Sequence, residues 1–238
     1  MKKFMKIVAV AAMLLAATNA FAQLEVGFGF ASQMYKGTST ERNAQKYYGG
    51  YNAYGFYVGA AYGIELFSNF KVQPGVYYSM TSANKVYEVY DGDRKEETIA
   101  DEDFGPMVFH DVNVPILFSY SFPLGPVKIT PFLGPNFLIG IEASQAVKDS
   151  DWKKIYGNSY SLYKDYDLDL ETGKIKTSPS DITHFDVQGQ VGVAVDINNL
   201  FIVKGGFNFG FLDRNKADKN IVHTNSWFIG VVIVLFIV

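Results

Sequence analysis

The chain has no cysteine in its 238 residues. Disulfides are therefore excluded, and so is a lipoprotein anchor built on an acylated N-terminal cysteine. Long apolar runs are missing beyond the N-terminus. The longest, Trp227 to Val238, has the length of a strand crossing a bilayer and is too short for a spanning helix. Basic excess is missing too: 21 Lys and Arg stand against 24 Asp and Glu, a net charge of −3, which argues against a nucleic-acid partner. There is no P-loop, no dinucleotide fingerprint and no zinc-ligand spacing, so no cofactor is expected.

The N-terminus holds a secretory signal. Lys2, Lys3 and Lys6 precede the short apolar run from Ile7 to Ala17, and Ala20-Phe21-Ala22 is a small-x-small cleavage site. Residues 1–22 are read as a cleaved signal peptide and residues 23–238 as one exported domain. Removing 22 residues and their three lysines from the 238 leaves 216 residues with 18 basic and 24 acidic side chains, a charge of −6.

The rest is organised around His184 to Leu212. Phe185, Val187, Val191, Val193, Val195 and Ile197 alternate with His184, Asp186, Gln188, Gln190, Gly192 and Asp196. After Asn198-Asn199, Phe201, Val203, Phe207, Phe209 and Phe211 alternate with Ile202, Lys204, Gly206, Asn208 and Gly210. A period of two predicts a long β-hairpin with one apolar and one polar face. Parity puts Leu200 in its turn, because partners on one face have numbers that sum to an even value.

Further strands are read at Gln23–Tyr35, Tyr51–Leu66, Phe70–Thr81, His110–Phe122, Val127–Ala143 and about Thr224–Val238. Phe67-Ser68-Asn69 is read as a three-residue turn, pairing Leu66 with Phe70 and Glu65 with Lys71. A bulge is expected around Pro131 and Gly134-Pro135. The faces of the fifth and eighth strands stay unassigned. Ser82–Met107 is read as a long loop; its Asp91–Asp103 portion holds seven acids and two bases without the order of a calcium loop. Ser144–Asp181 is the longest loop. Within it, Asp167–Thr177 predicts a short hairpin with Gly173 in the turn.

Eight strands with alternating long and short connections predict an all-β fold: an eight-stranded up-and-down antiparallel transmembrane β-barrel. The polar face carries glycine with Glu, Lys, Asp, Gln and Asn, as a crowded lumen requires. The opposite face is rich in Phe, Tyr and Val, as a lipid-facing belt must be. A soluble barrel would invert this.

Val112–Phe122, Lys128–Gly140 and the hairpin from Val187 to Asp213, with a closing strand after Asn225, resemble the bacterial outer-membrane β-barrel family that includes porin-like and PorT-like proteins. The match of Val114-Pro115-Ile116 through Pro131-Phe132 and Gly134-Pro135 to that family's pattern carries the resemblance. It implies the outer membrane of a Gram-negative cell, an OmpX-like architecture, outer-membrane lipids and the barrel-assembly machinery as partners, and an aromatic residue near the end of the last strand, here Phe236.

Glu25, Glu65, Lys71, Asp196 and Lys204 are expected to point inward near the short-turn rim, as an interior polar network filling the lumen. His110, His184 and His223 lie towards the other rim, with Asp111, Asp181, Asp186 and Ser226 near them in sequence. No catalytic or metal spacing joins them, so no catalytic residues and no metal ligands are assigned. Trp152, Tyr156, Tyr160, Tyr163 and Tyr166 are the candidate surface contact for an extracellular ligand or protein partner. The expected role is non-enzymatic: envelope structure or surface interaction, with at most limited permeation. The alternatives are a barrel enzyme acting on surface lipids and an accessory barrel of a secretion system.

Overall fold

The computed structural model of the chain describes residues 22–39, 48–90, 93–98, 103–169, 174–197, 201–216 and 220–236. The segment read as a signal peptide lies outside them except for Ala22, as do Gly173 and residues 91, 92 and 99–102 of the acidic stretch. In chain order the elements are β1 (Ala22–Ser39), β2 (Tyr48–Phe67), β3 (Phe70–Ala83), β4 (Lys85–Tyr90), β5 (Asp93–Thr98), β6 (Phe104–Tyr120), β7 (Phe122–Leu124) and β8 (Val127–Val147). Then follow the helix α1 (Ser150–Tyr156), β9 (Ser159–Ser161), β10 (Lys164–Asp169), β11 (Lys174–Pro179), β12 (Phe185–Ile197), β13 (Phe201–Gly210) and β14 (Asn220–Phe236).

Eight of these are the staves of a closed barrel. β1, β2, β3, β6, β8, β12, β13 and β14 pair antiparallel in that order, and β14 pairs back onto β1 from Gln23–Phe236 to Ser39–Asn220. Closure satisfies every stave's backbone without an open edge, which a bilayer demands. No helix among the described residues is long and apolar enough to cross a membrane.

Alternation sorts the side chains as the sequence requires. Phe28, Phe56, Val76, Phe118, Leu133, Val191, Phe209 and Ile229 are exposed on the outer wall, while Glu25, Gln33, Gln73, Asp111, Asn136, Gln188 and Lys204 are buried in the lumen. The lumen also takes aromatic rings that the polar-face reading did not assign to it. Tyr35, Tyr51 and Phe109 stack near the long-loop end, with centroids 4.5 to 5.1 Å apart.

Several boundaries differ from the sequence reading. Glu65 does oppose Lys71, but Phe67 rather than Leu66 opposes Phe70. The turn is two residues, Ser68-Asn69, and Leu66 is the bulge. Asn69 has φ 67°, a left-handed conformation that asparagine tolerates well. Phe67 and Phe70 then stack at 4.7 Å.

The bulge expected in the fifth strand is displaced. Pro131 and Gly134-Pro135 stay in continuous register with β12. The shift against β6 falls where His110 opposes Glu142 and Asp111 opposes Gly140, so Ile141 is the extra residue. Even-numbered Phe132, Asn136 and Leu138 face inward before it and odd-numbered Ala143, Gln145 and Val147 after it. In β14, Thr224, Val232 and Val234 face inward, while Trp227, Ile229, Ile233 and Leu235 face outward.

The long loop read at Ser82–Met107 contains the β4–β5 hairpin, which extends the sheet from β2, and β6 begins already at Phe104. The hairpin expected within the longest loop is β10–β11, pairing Lys164–Pro179 through Asp169–Lys174.

Candidate functional site

The outer end of β8 carries the most elaborate surface. α1 starts at Asp149, whose carboxylate accepts the backbone N–H groups of Asp151 at 2.8 Å and Trp152 at 3.1 Å. Those two bonds, the Trp152 one first, hold the Asp149 carboxyl below its ordinary range. Gly157, φ 76°, ends the helix and turns the chain into β9, which pairs with β8.

This short path gathers aromatic rings. Trp152 stacks on Tyr156 at 5.8 Å, Tyr156 meets Tyr160 and Tyr166 at 5.4 Å each, and Phe104 touches Trp152 at 6.0 Å and Tyr160 at 5.9 Å. The Tyr160 hydroxyl donates to Gln145 on β8, and the Tyr166 hydroxyl accepts the Ser161 N–H at 2.9 Å. Trp152 is exposed, and Tyr156, Tyr160 and Tyr166 are half-buried. Four of the five residues expected as a surface contact are thus brought together, with Phe104 as a member the sequence reading missed.

Tyr163 is not part of that surface. It is 7% exposed, and its ring stacks on His184 at 3.8 Å. Backbone bonds from Leu162 to Ala143 and from Ser180 to Tyr163 turn its side chain into the barrel mouth, where Gly140 leaves room for the hydroxyl.

There it meets Arg214, a loop residue that is 1% exposed. Arg214 donates from Nη2 to the Tyr163 hydroxyl at 3.1 Å and from Nη1 to the Tyr35 hydroxyl at 3.1 Å and Thr224 Oγ1 at 3.3 Å. Its Nε and Nη2 both reach the Thr183 carbonyl, at 3.1 and 3.0 Å. Two outer loops are thereby tied to two staves across the mouth. Beneath lies a web of amides and acids. Gln33 donates to Asp111 at 3.0 Å and accepts from Thr81 at 3.0 Å, while Asn136 donates to Asn113 at 3.0 Å and Gln188 at 2.8 Å. Inward parity was available for Tyr35, Asp111 and Gln188, but no pattern marked Arg214, which sits outside any alternating run.

At the opposite end, Glu25, Glu65, Lys71, Asp196 and Lys204 line one chamber of about 150 Å³. Their pairing differs from expectation. Glu65 is exposed at the rim, and the Lys71 ammonium donates to Gln23 at 2.9 Å instead of to Glu65. Glu25 accepts from Gln73 at 2.6 Å, and Asp196 lies 3.9 Å from Lys128. Lys204 places its ammonium 4.8 Å from the centre of the Phe132 ring.

The histidines are separate. His110 Nδ1 meets the Tyr78 hydroxyl at 2.5 Å, and His184 Nδ1 meets the Gly140 carbonyl at 2.8 Å. His184, expected inward by parity, is exposed at the rim because it precedes the first residue of β12. Asp111 bonds Gln33, Asp186 accepts the Leu212 N–H at 3.1 Å, and Ser226 accepts from Asn208 at 2.7 Å. Among the described residues no three His, Asp or Glu side chains gather as metal ligands.

Residues 17–214 match the family described as the outer membrane protein beta-barrel domain. Among solved structures, the chain is similar to Ail, the attachment invasion locus protein of Yersinia pestis, at 12% identity and a TM-score of 0.42, covering 89% of this chain and 98% of that one. It is similar to Neisserial surface protein A at 14% identity and a TM-score of 0.45, covering 90% and 98%. It is also similar to the outer membrane protein OprG from Pseudomonas aeruginosa, at 11% identity and a TM-score of 0.44, covering 91% and 97%. No curated protein sequence matches the chain.

Proposed function

Because the chain belongs to the outer membrane protein beta-barrel domain family, we propose that it is a non-enzymatic surface-contact protein of the outer membrane. In this reading it is exported by a cleaved signal peptide and binds an extracellular partner through its longest loop. The observation that carries the reading is the ring cluster of Phe104, Trp152, Tyr156, Tyr160 and Tyr166. These rings, all but Phe104 with polar tips, are held on the helix α1 and the strands β6, β9 and β10 and offer contact area with little side-chain entropy left to lose on binding.

The lumen takes the supporting role. The Arg214 contacts brace the loops, and the braced, narrowed lumen limits permeation. The separate hydrogen-bond partners of His110, His184 and the neighbouring Asp111 and Asp186 favour this reading over a lipid-modifying enzyme.

The test has two arms. Cells displaying the wild type and a W152S/Y156S variant are surface cross-linked, and the captured molecules are compared. Loss of a specific partner in the variant is expected, with normal barrel assembly; identical capture would place the contact elsewhere. Mass spectra of the surface lipid with and without the protein should show one acyl pattern, and a changed pattern would favour the enzyme.

A further inference from the structure

The outer wall changes character along the seam where the first and last staves close the barrel. Register sorts its outward residues into rows across β14, β1 and β2. Ile229, Phe30 and Phe56 form an exposed apolar row. Trp227, Ser32 and Tyr54 follow, and the Phe30 ring joins the two aromatic ones, 5.3 Å from Trp227 and 6.2 Å from Tyr54. Next come Asn225, Met34 and Asn52, and then His223, Lys36 and Gly50. Apolar side chains, rings, amides and bases thus succeed one another towards the long-loop end.

Each row has a physical level. Tyr and Trp rings settle where hydrocarbon gives way to headgroups. Lys36 lies four residues beyond Ser32 on β1, about 10 Å higher once strand tilt is allowed for. Lys36 is exposed there, and Gly50 puts no side chain beside it. His223 is half-buried; its Nδ1 has no partner, and its ring makes no hydrogen bond among the described residues. Asn225 accepts the Gly210 N–H on its Oδ1 at 3.1 Å, which leaves its amide hydrogens for another partner. No acid stands in these rows. Asp213, on the loop leading into β14, gives its Oδ1 to the Asn215 and Val222 N–H groups at 2.9 and 2.8 Å.

The seam is also held from inside. Tyr35 and Thr224, the inward neighbours of Lys36 and His223 along their strands, both accept from Arg214 Nη1. A base on β1 and a base on β14 are therefore fixed side by side before any ligand arrives, which lowers the cost of binding one.

We propose that this part of the seam binds a phosphorylated, sugar-based lipid of the outer leaflet. Lys36 and His223 donate to oxygens of its phosphate. Asn225 and Asn52 meet the sugar, and the rings and the apolar row below take the acyl chains. A glycerol lipid carries its phosphate directly above its acyl linkages. A sugar ring set between phosphate and acyl chains fills the amide row, and that row favours the sugar lipid. The site rests on the outer-membrane barrel alone and is independent of the ring cluster around α1.

The experiment titrates the full chain, folded in neutral detergent micelles, with lipid A carrying its phosphates. Native mass spectrometry reads the bound lipid. A saturable adduct of one lipid is expected. Its affinity should fall about fivefold or more in K36Q/H223N, the weight of a basic contact at a membrane surface. Dephosphorylated lipid A should lose as much on the wild type. K128Q, at the opposite rim, should bind as the wild type does, and phosphatidylglycerol no better than phosphatidylcholine. Assembly of each variant is checked by its heat-dependent gel mobility, and K36Q alone carries the test should the double variant fail to assemble. Absence of a saturable adduct, equal affinity for the dephosphorylated lipid, unchanged affinity in the seam variant or an equal loss in K128Q would each overturn the proposal. Phosphatidylglycerol binding as tightly as lipid A would overturn the choice of a sugar lipid.

Discussion

At the scale of single residues, Arg214 governs the outer end of the lumen. Its guanidinium joins Tyr35, Thr224, Tyr163 and the Thr183 carbonyl, and nothing in its sequence surroundings distinguishes it from a solvated loop cation. R214A leaves those partners buried and unbonded, so it should lower unfolding stability by about 3 kcal/mol or more, measured by urea titration in micelles. Y163F removes one charge-assisted bond and should cost about 1.5 kcal/mol by the same measurement. The Glu65–Lys71 position behaves oppositely. Parity identified the cross-strand partners, but burial could not be read from parity, and the pair sits where the lumen meets water with Lys71 turned to Gln23. K71M should therefore cost less than about 1 kcal/mol. A loss as large as that of R214A would mean that the pair is buried after all.

At the scale of elements, alternation made most strands legible because one face must meet lipid and the other the lumen. It failed where an extra residue breaks the phase. Ile141 shifts β8 from even-inward to odd-inward, while Pro131 and Gly134-Pro135, which suggested a bulge earlier in the strand, stay in register, and Gly134 lets the neighbouring backbone approach. A side chain on Gly134 would begin 2.1 Å from the Ile116 carbonyl oxygen of the neighbouring stave. G134V should accordingly abolish assembly, seen as loss of the heat-dependent gel shift. The β4–β5 hairpin escaped the reading because β4, Lys-Val-Tyr-Glu-Val-Tyr, does not alternate with a period of two and β5, Asp-Arg-Lys-Glu-Glu-Thr, has no apolar residue.

The helix α1 depends on Asp149. Its carboxyl titrates below the ordinary range, so its capping contribution is present above the unfolded-state value, about 3.9, and is lost as pH falls through the lower folded value. Trp152 should keep its environment from neutral pH down to mildly acidic solution and lose it only in stronger acid. In a W227F background, Trp152 emission reports this directly. In D149A the change should already be present at neutral pH.

At the scale of the whole molecule, the composition spoke most clearly. The absence of cysteine and of a helix-length apolar run, with 16 Tyr, 20 Phe and 22 Gly, left a strand-built membrane protein. What composition did not reveal is how the lumen is divided. It is braced by Arg214 at one end, narrowed by Lys204, Phe132 and Phe228, and hollow between and below. Such a lumen predicts no porin-sized conductance from purified monomer in planar bilayers, and long-lived large steps would contradict it.

The central claim is that eight staves close into a barrel in the outer membrane, the first pairing with the last. With no native cysteine, one pair tests it cleanly. Phe28 on β1 and Val231 on β14 are direct cross-strand partners on the outer wall. In cells carrying F28C/V231C, mild oxidation should yield an intramolecular disulfide in the outer-membrane fraction, cleaved by reductant. Thiols that stay free in the assembled protein, or recovery of the protein in the soluble periplasmic fraction, would contradict the closed barrel.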